Sequence, residues 1–167
     1  KIKIKKNQWV SNYRDIIKKK DVDIIVELIG GADGAAKTLV FNALKNKKHV
    51  VTANKALISK YGDQLAKIAE KNKVNLEFEA AVCGGVPIIR SIKEGLIANK
   101  INRIYGIFNG TSNYVLSSME QKKTSFNATI NDAITLGYAE ANPSSDINGD
   151  DVGSKVKILS CLSFNSF

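Results

Sequence analysis

Residues 21–31, DVDIIVELIGG, decide the fold. The first eight of them form a short, nearly continuous apolar run rich in β-branched side chains, which is typical of a strand buried on both faces of a parallel sheet. Gly30 and Gly31 end the run, and apolar residues at helical spacing follow Asp33. We therefore predict a first strand over residues 21–28, a glycine turn at its carboxyl end and a helix opened by Asp33.

The same pattern repeats along the next part of the chain. A second strand is predicted over residues 49–52, Asn54 is the expected N-cap of the next helix, periodicity predicts that helix over residues 61–72, and a third strand follows over residues 74–78. Strands and helices that alternate at short intervals imply a doubly wound parallel sheet, whose ligand site lies beyond the carboxyl ends of its strands. This part of the chain is therefore predicted to have an α/β fold.

The pattern changes after residue 78. Two glycines and a proline within residues 80–87, AAVCGGVP, indicate a loop or a domain junction. A strand with β-branched alternation is predicted over residues 100–108, whereas residues 137–150 are polar and too irregular for a helix or strand. The remaining periodic segments predict helices over residues 88–98, 114–119, 126–136 and 151–164.

Composition narrows the classes of partner. The 167 residues carry a net charge of +9, and the whole surplus lies in residues 1–77, which hold 17 Lys and Arg against 8 Asp and Glu. No basic run is interleaved with aromatic side chains, so we expect no nucleic-acid partner. The alternative is that the basic residues 1–77 form a nucleic-acid-binding surface. The basic start leads into polar residues, and no stretch of about 18 apolar residues exists, so neither a signal peptide nor a membrane partner is expected. Cys83 and Cys161 lack the spacing of a metal site or disulfide framework, which favours a reducing, cytoplasmic location.

Two pairs of residues lie where a ligand of such a sheet would bind. Gly30 and Gly31 leave the backbone bare after the first strand, where the next helix offers N–H groups to an anion, although glycines at such a place also make simple turns. Asn54 and Lys55 follow the second strand, where the lysine could orient a cofactor or substrate, or be a solvated residue of a lysine-rich chain. A G-x-G-x-x-G motif does not occur in the 167 residues.

The polar loop and the last predicted helix hold the most informative group of charges. Asp151 and Lys155 lie four residues apart, so they share one helix face, with the acid nearer the N-terminus. Glu140 and Asp146 return toward the same helix start, so several acids are predicted to converge on one ammonium group. Such a pocket suits a zwitterionic substrate, with carboxylates on its amine and a lysine on its oxygen. The alternative is an exposed ion pair, which is common and contributes only about 0.3–0.5 kcal/mol.

Six segments resemble, in the same order, motifs of homoserine dehydrogenases. They are ELIGG (27–31), HVVTANKAL (49–57), EAAVCGGVPII (79–89), GIFNGTSNY (106–114), GYAE (137–140) and the pattern D-x-x-G-x-D-x-x-x-K within residues 146–159. The resemblance implies the later part of a Rossmann-like NAD(P)-binding domain in residues 1–78. It also implies the first part of an α+β dimerisation and catalytic domain in residues 79–167, so that the chain corresponds to a central piece of the family sequence.

The resemblance further implies an oxidoreductase that interconverts L-homoserine and L-aspartate 4-semialdehyde with NAD or NADP, in threonine, isoleucine and methionine biosynthesis. Lys155 resembles the family's proton donor to the carbonyl oxygen, and Asp151 resembles the neighbouring acid. Glu140 resembles the carboxylate that binds the substrate. The other implied substrate-pocket residues are Gly110, Thr111, Tyr138 and Asp146. The residues implied or positioned to contact the cofactor are Lys55, Asn54, Gly30 and Gly31.

The resemblance also implies a homodimer and a sodium-like monovalent cation. The implied cation site consists of Glu79, Val82, Gly84 and Val86, and backbone carbonyls in a glycine-rich loop suit a hard cation. The missing G-x-G-x-x-G motif leaves one alternative function open, which is a non-catalytic remnant that folds or dimerises without turnover.

Overall fold

The computed structural model describes residue 5 and residues 8–164. These residues form two compact units that divide between residues 97 and 98. The basic residues at the start of the sequence other than Lys5, and the last three residues of the second predicted domain, lie outside the described part. The domain boundary after residue 78 stays a prediction.

A three-stranded parallel sheet with strand order β1-β2-β3 forms the centre of the first unit. The strands are β1 (Ile24–Glu27), β2 (His49–Thr52) and β3 (Leu76–Glu77). Strand β1 pairs with β2 from Ile24 opposite His49 to Glu27 opposite Thr52, while β3 pairs only with two residues of β2. The second strand has its predicted bounds, whereas the first and third are shorter than predicted because a ladder ends where the neighbouring strand ends.

Helices connect the strands of this sheet. The helices of the first unit are α1 (Tyr13–Ile16), α2 (Ala35–Lys45), α3 (Lys55–Asn72) and the short α4 (Ile88–Arg90). Helix α2 begins after Asp33 because Gly34 has a φ of 73° and cannot join the helix. Helix α3 begins at Lys55, six residues before the predicted start, because the Asn54 side chain accepts a hydrogen bond from the Leu57 N–H at 3.0 Å. The predicted N-cap is therefore confirmed.

The sheet is buried on one face and exposed on the other. Helices α2 and α3 pack against each other, α2 contacts β1 and β2, and α3 contacts β3. They cover the face on which Ile25, Val50 and Leu76 are buried, as expected for two successive crossovers of one hand. On the opposite face Ile24 is 57% exposed and Val26 is 61% exposed. The prediction of a first strand buried on both faces is therefore wrong for the described residues, in which helices cover a single face.

The segment after β3 is less regular than predicted. A 3₁₀ turn covers Glu79–Ala81, and α4 continues into a π-helical turn over Ser91–Gly95. The Leu96 N–H bonds to the Ser91 carbonyl oxygen at 2.8 Å and ends this turn. The helix predicted over residues 88–98 is therefore shorter and changes its hydrogen-bond pattern within a few residues.

The second unit consists of helices and of segments without regular secondary structure in the part of the chain that the structure describes. Its helices are α5 (Gly110–Lys122), α6 (Phe126–Thr135), α7 (Ser144–Ile147) and α8 (Asp150–Phe164). Helices α5 and α6 pack around Val115, Ala133 and Ala139. The helices predicted in 114–119, 126–136 and 151–164 are confirmed. Helix α7 lies in the segment predicted to be irregular.

The strand predicted over residues 100–108 is wrong. The segment is neither helix nor strand, and among the described residues no strand lies beside it, so its backbone forms no ladder. Tyr105 and Ile107 are exposed. β-branched side chains favour the extended backbone of a strand, yet only a partner strand makes a segment part of a sheet. Among the described residues, no helix is long and apolar enough to cross a membrane.

Candidate active site

Lys155 and Asp151 form a largely buried ion pair on one face of α8. The Lys155 Nζ lies 2.7 Å from the Asp151 Oδ2, and the side chains are 17% and 4% exposed. Lys155 also donates a hydrogen bond to the Phe108 carbonyl oxygen at 2.8 Å. The spacing of four residues places both groups on one face, as predicted. The alternative of an exposed, solvated ion pair is therefore wrong, because both side chains are largely buried.

Asn109 links this ion pair to a second carboxylate. Its Nδ2 donates to Asp146 Oδ1 at 2.8 Å and to Asp151 Oδ2 at 2.9 Å. Its Oδ1 accepts from the Ser112 N–H at 2.7 Å and thereby caps α5. Because the oxygen is held by a backbone donor and the nitrogen by two carboxylates, these contacts define the orientation of the amide.

Sequence reasoning missed Asn109. An N-cap residue type directly before a helix was the available signal, since Asn is a preferred N-cap. Its two carboxylate partners lie 37 and 42 residues away, and nothing in the local sequence indicates them. Asp146 is held near the same place by a second contact, because the Ser112 hydroxyl lies 3.4 Å from its carbonyl oxygen.

Four of the predicted substrate residues lie at or near the start of α5, and the fifth, Glu140, forms no hydrogen bond or ion pair with these described residues. Asp146, Gly110 and Thr111 lie beside the Asn109 amide or at the start of the helix it caps. The Thr111 hydroxyl donates to the Tyr138 carbonyl oxygen at 2.7 Å, and the Tyr138 ring stacks on Tyr114 with centroids 4.6 Å apart. Glu140 is exposed, and the described residues include no hydrogen-bond or ion-pair partner for it. Its predicted convergence with the other acids is therefore not observed.

The cofactor residues predicted in the first unit lie at the carboxyl end of its sheet. Gly30 and Gly31 have φ values of 83° and 75°, so they occupy the region that favours glycine, and both are exposed. The Asn54 Nδ2 donates to the Gly31 carbonyl oxygen at 2.7 Å. Lys55 is half-buried as the first residue of α3. The structure thus brings the glycine turn and Asn54 into contact.

A charged cluster beside this turn has shifted pKa values. Asp33 accepts from the Lys60 Nζ at 2.6 Å and from the Tyr61 hydroxyl at 2.6 Å. The hydrogen bond from Lys60, followed by that from Tyr61, holds the pKa of Asp33 below its ordinary value of 3.8. The hydrogen bond to Asp33 raises the pKa of Lys60 above its ordinary value. Lys37 donates to the Tyr61 hydroxyl at 3.0 Å and completes the cluster.

The predicted cation residues lie between β3 and α4. The Glu79 carboxylate accepts hydrogen bonds from the Ile89 and Arg90 N–H groups at 2.9 and 2.8 Å. Among the described residues, no hydrogen bond reaches the carbonyl oxygens of Val82 and Gly84. The Val86 carbonyl oxygen accepts a hydrogen bond from the Ile88 N–H at 2.8 Å. The free carbonyl oxygens of Val82 and Gly84 and the Glu79 carboxylate are donor types that fit a hard cation. Farther along, the hydrogen bond to Glu94 raises the pKa of Arg90.

Comparisons with known proteins match two family models to successive parts of the chain. The family model described as "Homoserine dehydrogenase, NAD binding domain" matches residues 2–79, and the model described as "Homoserine dehydrogenase" matches residues 87–167. A homoserine dehydrogenase of Neisseria gonorrhoeae is 50% identical over 158 residues, which are 95% of this chain and 36% of that protein.

Solved structures give the same result. The crystal structure of a homoserine dehydrogenase from Thiobacillus denitrificans matches with a TM-score of 0.88 and 48% identity, over 93% of this chain and 36% of that one. A hyperthermophilic archaeal homoserine dehydrogenase in complex with NADPH matches with a TM-score of 0.86 and 30% identity, over 95% of this chain and 49% of that one.

The first unit contains part of an NAD-binding domain of the Rossmann class, because a parallel sheet with covering helices and the family model coincide there. The two family models and the relatives of high identity show the family: the chain belongs to the homoserine dehydrogenase family. The chain spans about a third of the length of the curated relatives it matches.

Proposed function

We propose that the protein containing this chain interconverts L-aspartate 4-semialdehyde and L-homoserine with NAD or NADP. The observation that carries the proposal is the largely buried Lys155 ammonium, which is oriented by Asp151 and by the Phe108 carbonyl oxygen. An ammonium group has three N–H donors, and the described residues accept two of them. The third is available to a substrate oxygen.

Lys155 is the proton donor in this proposal. A nicotinamide cofactor, when bound, would supply the hydride that the aldehyde carbon needs. Lys155 transfers a proton from Nζ to the carbonyl oxygen as negative charge develops there, so that the aldehyde becomes a primary alcohol. Asp151 holds the Nζ in place at 2.7 Å, and solvent restores the proton afterwards.

The substrate amine and the cofactor are assigned to different residues. Asp146 uses its Oδ1 to accept from Asn109, and its other carboxylate oxygen has no partner among the described residues, which supports a role in binding the substrate ammonium group. Glu140, Gly110, Thr111 and Tyr138 are proposed as the remaining substrate residues. The cofactor is assigned to Gly30, Gly31, Asn54 and Lys55, which lie at the carboxyl ends of β1 and β2.

The remaining assignments concern the cation and the assembly. We assign a sodium-like cation to Glu79 and to the carbonyl oxygens of Val82, Gly84 and Val86. We further propose a homodimer in the cytoplasm and a domain boundary near residue 78. The exposed apolar side chains of Tyr105 and Ile107 support an interface on the second unit. Light scattering of the purified full-length protein tests the dimer.

An assay of the full-length protein tests the activity. We expect NADPH-dependent reduction of aspartate semialdehyde, and we expect Lys155→Ala to lower kcat by at least about 100-fold, as loss of a general acid does. Lys157→Ala is the matched control, because Lys157 is an exposed lysine of the same helix. An inactive wild-type protein would overturn the proposed reaction, and a fully active Lys155→Ala variant would overturn the assignment of the proton donor.

A further inference from the structure

Glu27 is a fully buried carboxylate to which the proposed reaction assigns no role. It is the last residue of β1 and has no solvent exposure. Its Oε1 accepts from the N–H groups of Ile29 and Gly30 at 2.7 and 3.1 Å, and its Oε2 accepts from the Thr52 hydroxyl at 2.5 Å. A carboxyl group is costly to bury unless hydrogen-bond donors surround it, and three donors satisfy this one.

The hydrogen bonds of Glu27 continue to the end of the neighbouring strand. The Thr52 hydroxyl donates to Glu27 and accepts from the Asn54 N–H at 3.0 Å. The Asn54 side chain then donates to the Gly31 carbonyl oxygen at 2.7 Å, and its Nδ2 lies 3.5 Å from the Glu27 Oε1. A closed set of hydrogen bonds thus joins the glycine turn after β1 to the start of α3 after β2.

This set of hydrogen bonds holds a turn whose backbone is open to ligands. A Cβ atom on Gly30 or Gly31 would meet no other atom within 4 Å, so crowding does not shape the turn. Positive φ values at two successive residues are not rigid by themselves, because glycine adopts many conformations. Among the described residues, the Glu27 carboxylate and the Asn54 amide are the side-chain groups that form hydrogen bonds with the backbone of this turn.

We propose that Glu27 is a positioning residue for the dinucleotide cofactor. It acts through Gly30, Thr52 and Asn54, and it holds the glycine turn and the first residues of α3 in one geometry before the cofactor binds. Preorganisation of this kind lowers the entropy lost on binding and so strengthens affinity. The inference rests on the proposed function, because it assigns the same cofactor to the same end of the sheet.

The test compares cofactor binding by variants of the full-length protein. We expect Glu27→Ala to raise the dissociation constant for NADPH, measured by fluorescence titration, by about tenfold or more, because the turn loses both of its carboxylate bonds. Glu27→Gln keeps an acceptor for the turn and should restore most of the affinity. Glu70→Ala, which removes an exposed acid at the end of α3, is the control for loss of negative charge.

A second pair of variants covers the case in which Glu27→Ala does not fold. Thr52→Val keeps the size of a buried residue but removes the hydroxyl, whereas Thr52→Ser keeps the hydroxyl. We expect Thr52→Val to bind NADPH more weakly than the wild-type protein and Thr52→Ser to bind it about as well. Circular dichroism establishes that each variant is folded under the conditions of the titration.

The outcomes separate this inference from the proposed function. Folded variants that bind NADPH as the wild-type protein does would overturn the role of Glu27 and leave the proposed reaction intact. A wild-type protein that binds neither NADPH nor NADH would overturn the proposed function itself. A merely structural role would lower the melting temperature and leave the dissociation constant of the folded protein unchanged.

Discussion

The Lys155 ammonium donates a hydrogen bond to the Phe108 carbonyl oxygen at 2.8 Å, although Phe108 belongs to a segment outside the helices and strands and Lys155 to a helix. The contact anchors the end of that segment, and the next residue, Asn109, anchors it again through Asp151. Backbone outside helices and sheets needs such partners, because its polar groups are otherwise satisfied only by water. The segment is therefore positioned by the proposed active site rather than by a sheet.

The first prediction concerns Asn109. Asn109→Asp keeps the oxygen that caps α5, since Asp is as good an N-cap as Asn, but it replaces the donor between two carboxylates by an acceptor. We expect the free energy of unfolding to fall by about 2–4 kcal/mol at neutral pH and kcat to fall with it. Thermal melts and steady-state assays measure the two effects. The loss of stability should shrink at low pH, where a protonated carboxyl group can donate again.

Asn113→Asp is the matched control for this variant. Asn113 is an exposed residue of the same helix, so the substitution adds the same charge away from the two acids. An equal loss of stability in the two variants would mean that the added charge, rather than the lost donor, explains the effect.

The sequence indicates the helical half of the proposed active site and misses the half that depends on distant contacts. The i, i+4 spacing of Asp151 and Lys155 is a local property of a helix, and α8 forms as the periodicity predicts. The contact of Asn109 with Asp146 joins elements far apart in sequence, and such a contact exists only after the helices have packed. The sequence pattern therefore predicts contacts within one helix, but it does not predict contacts between helices that are distant in sequence.

The sheet shows the same limit. Glu27 is the only acid of β1, and its place in a buried strand was a signal that it has hydrogen-bond partners, because Glu is almost never fully buried without them. Its donors, however, come from the turn after β1 and from Thr52 on β2, and only the register of the two strands brings them together. The predicted strand over residues 100–108 fails for a related reason, since side-chain pattern does not specify a partner strand.

The second prediction concerns pH. The pKa of Asp33 is lowered in the folded protein by the hydrogen bonds from Lys60 and Tyr61, so the folded state favours the ionised form. The stability that this carboxylate contributes is fully present above its unfolded pKa and is lost as the pH falls through the folded pKa. The difference in unfolding free energy between the wild-type protein and Asp33→Asn should therefore vanish in strong acid and reach its plateau above about pH 5.

Carboxyl-carbon NMR measures the pKa of Asp33 directly. Lys60→Met removes the largest cause of the shift and should move the pKa of Asp33 back toward its ordinary value. An Asp33 that titrates identically in the wild-type and Lys60→Met proteins would contradict the geometry of the cluster.

The third prediction concerns the core beneath the sheet. Leu65 of α3 is fully buried, so Leu65→Ala removes apolar contacts and leaves a cavity. We expect a loss of about 2–5 kcal/mol in the free energy of unfolding of this unit, measured with urea. Gln64→Ala, at the exposed neighbouring position, should change it by less than about 0.5 kcal/mol. Similar losses in both variants would show that α3 packs through a different face.

The fourth prediction concerns the proposed cation site. Glu79 supplies the only side-chain charge among the residues assigned to the ion, so Glu79→Gln should raise the sodium concentration for half-maximal activity by about tenfold. The assay varies sodium chloride against choline chloride at constant ionic strength, which keeps general screening unchanged. Glu77→Gln is the control, because Glu77 is an exposed acid two residues away that pairs with Lys93. An unchanged sodium dependence in a folded Glu79→Gln variant would leave Glu79 with its observed structural role, in which its carboxylate accepts the first N–H groups of α4.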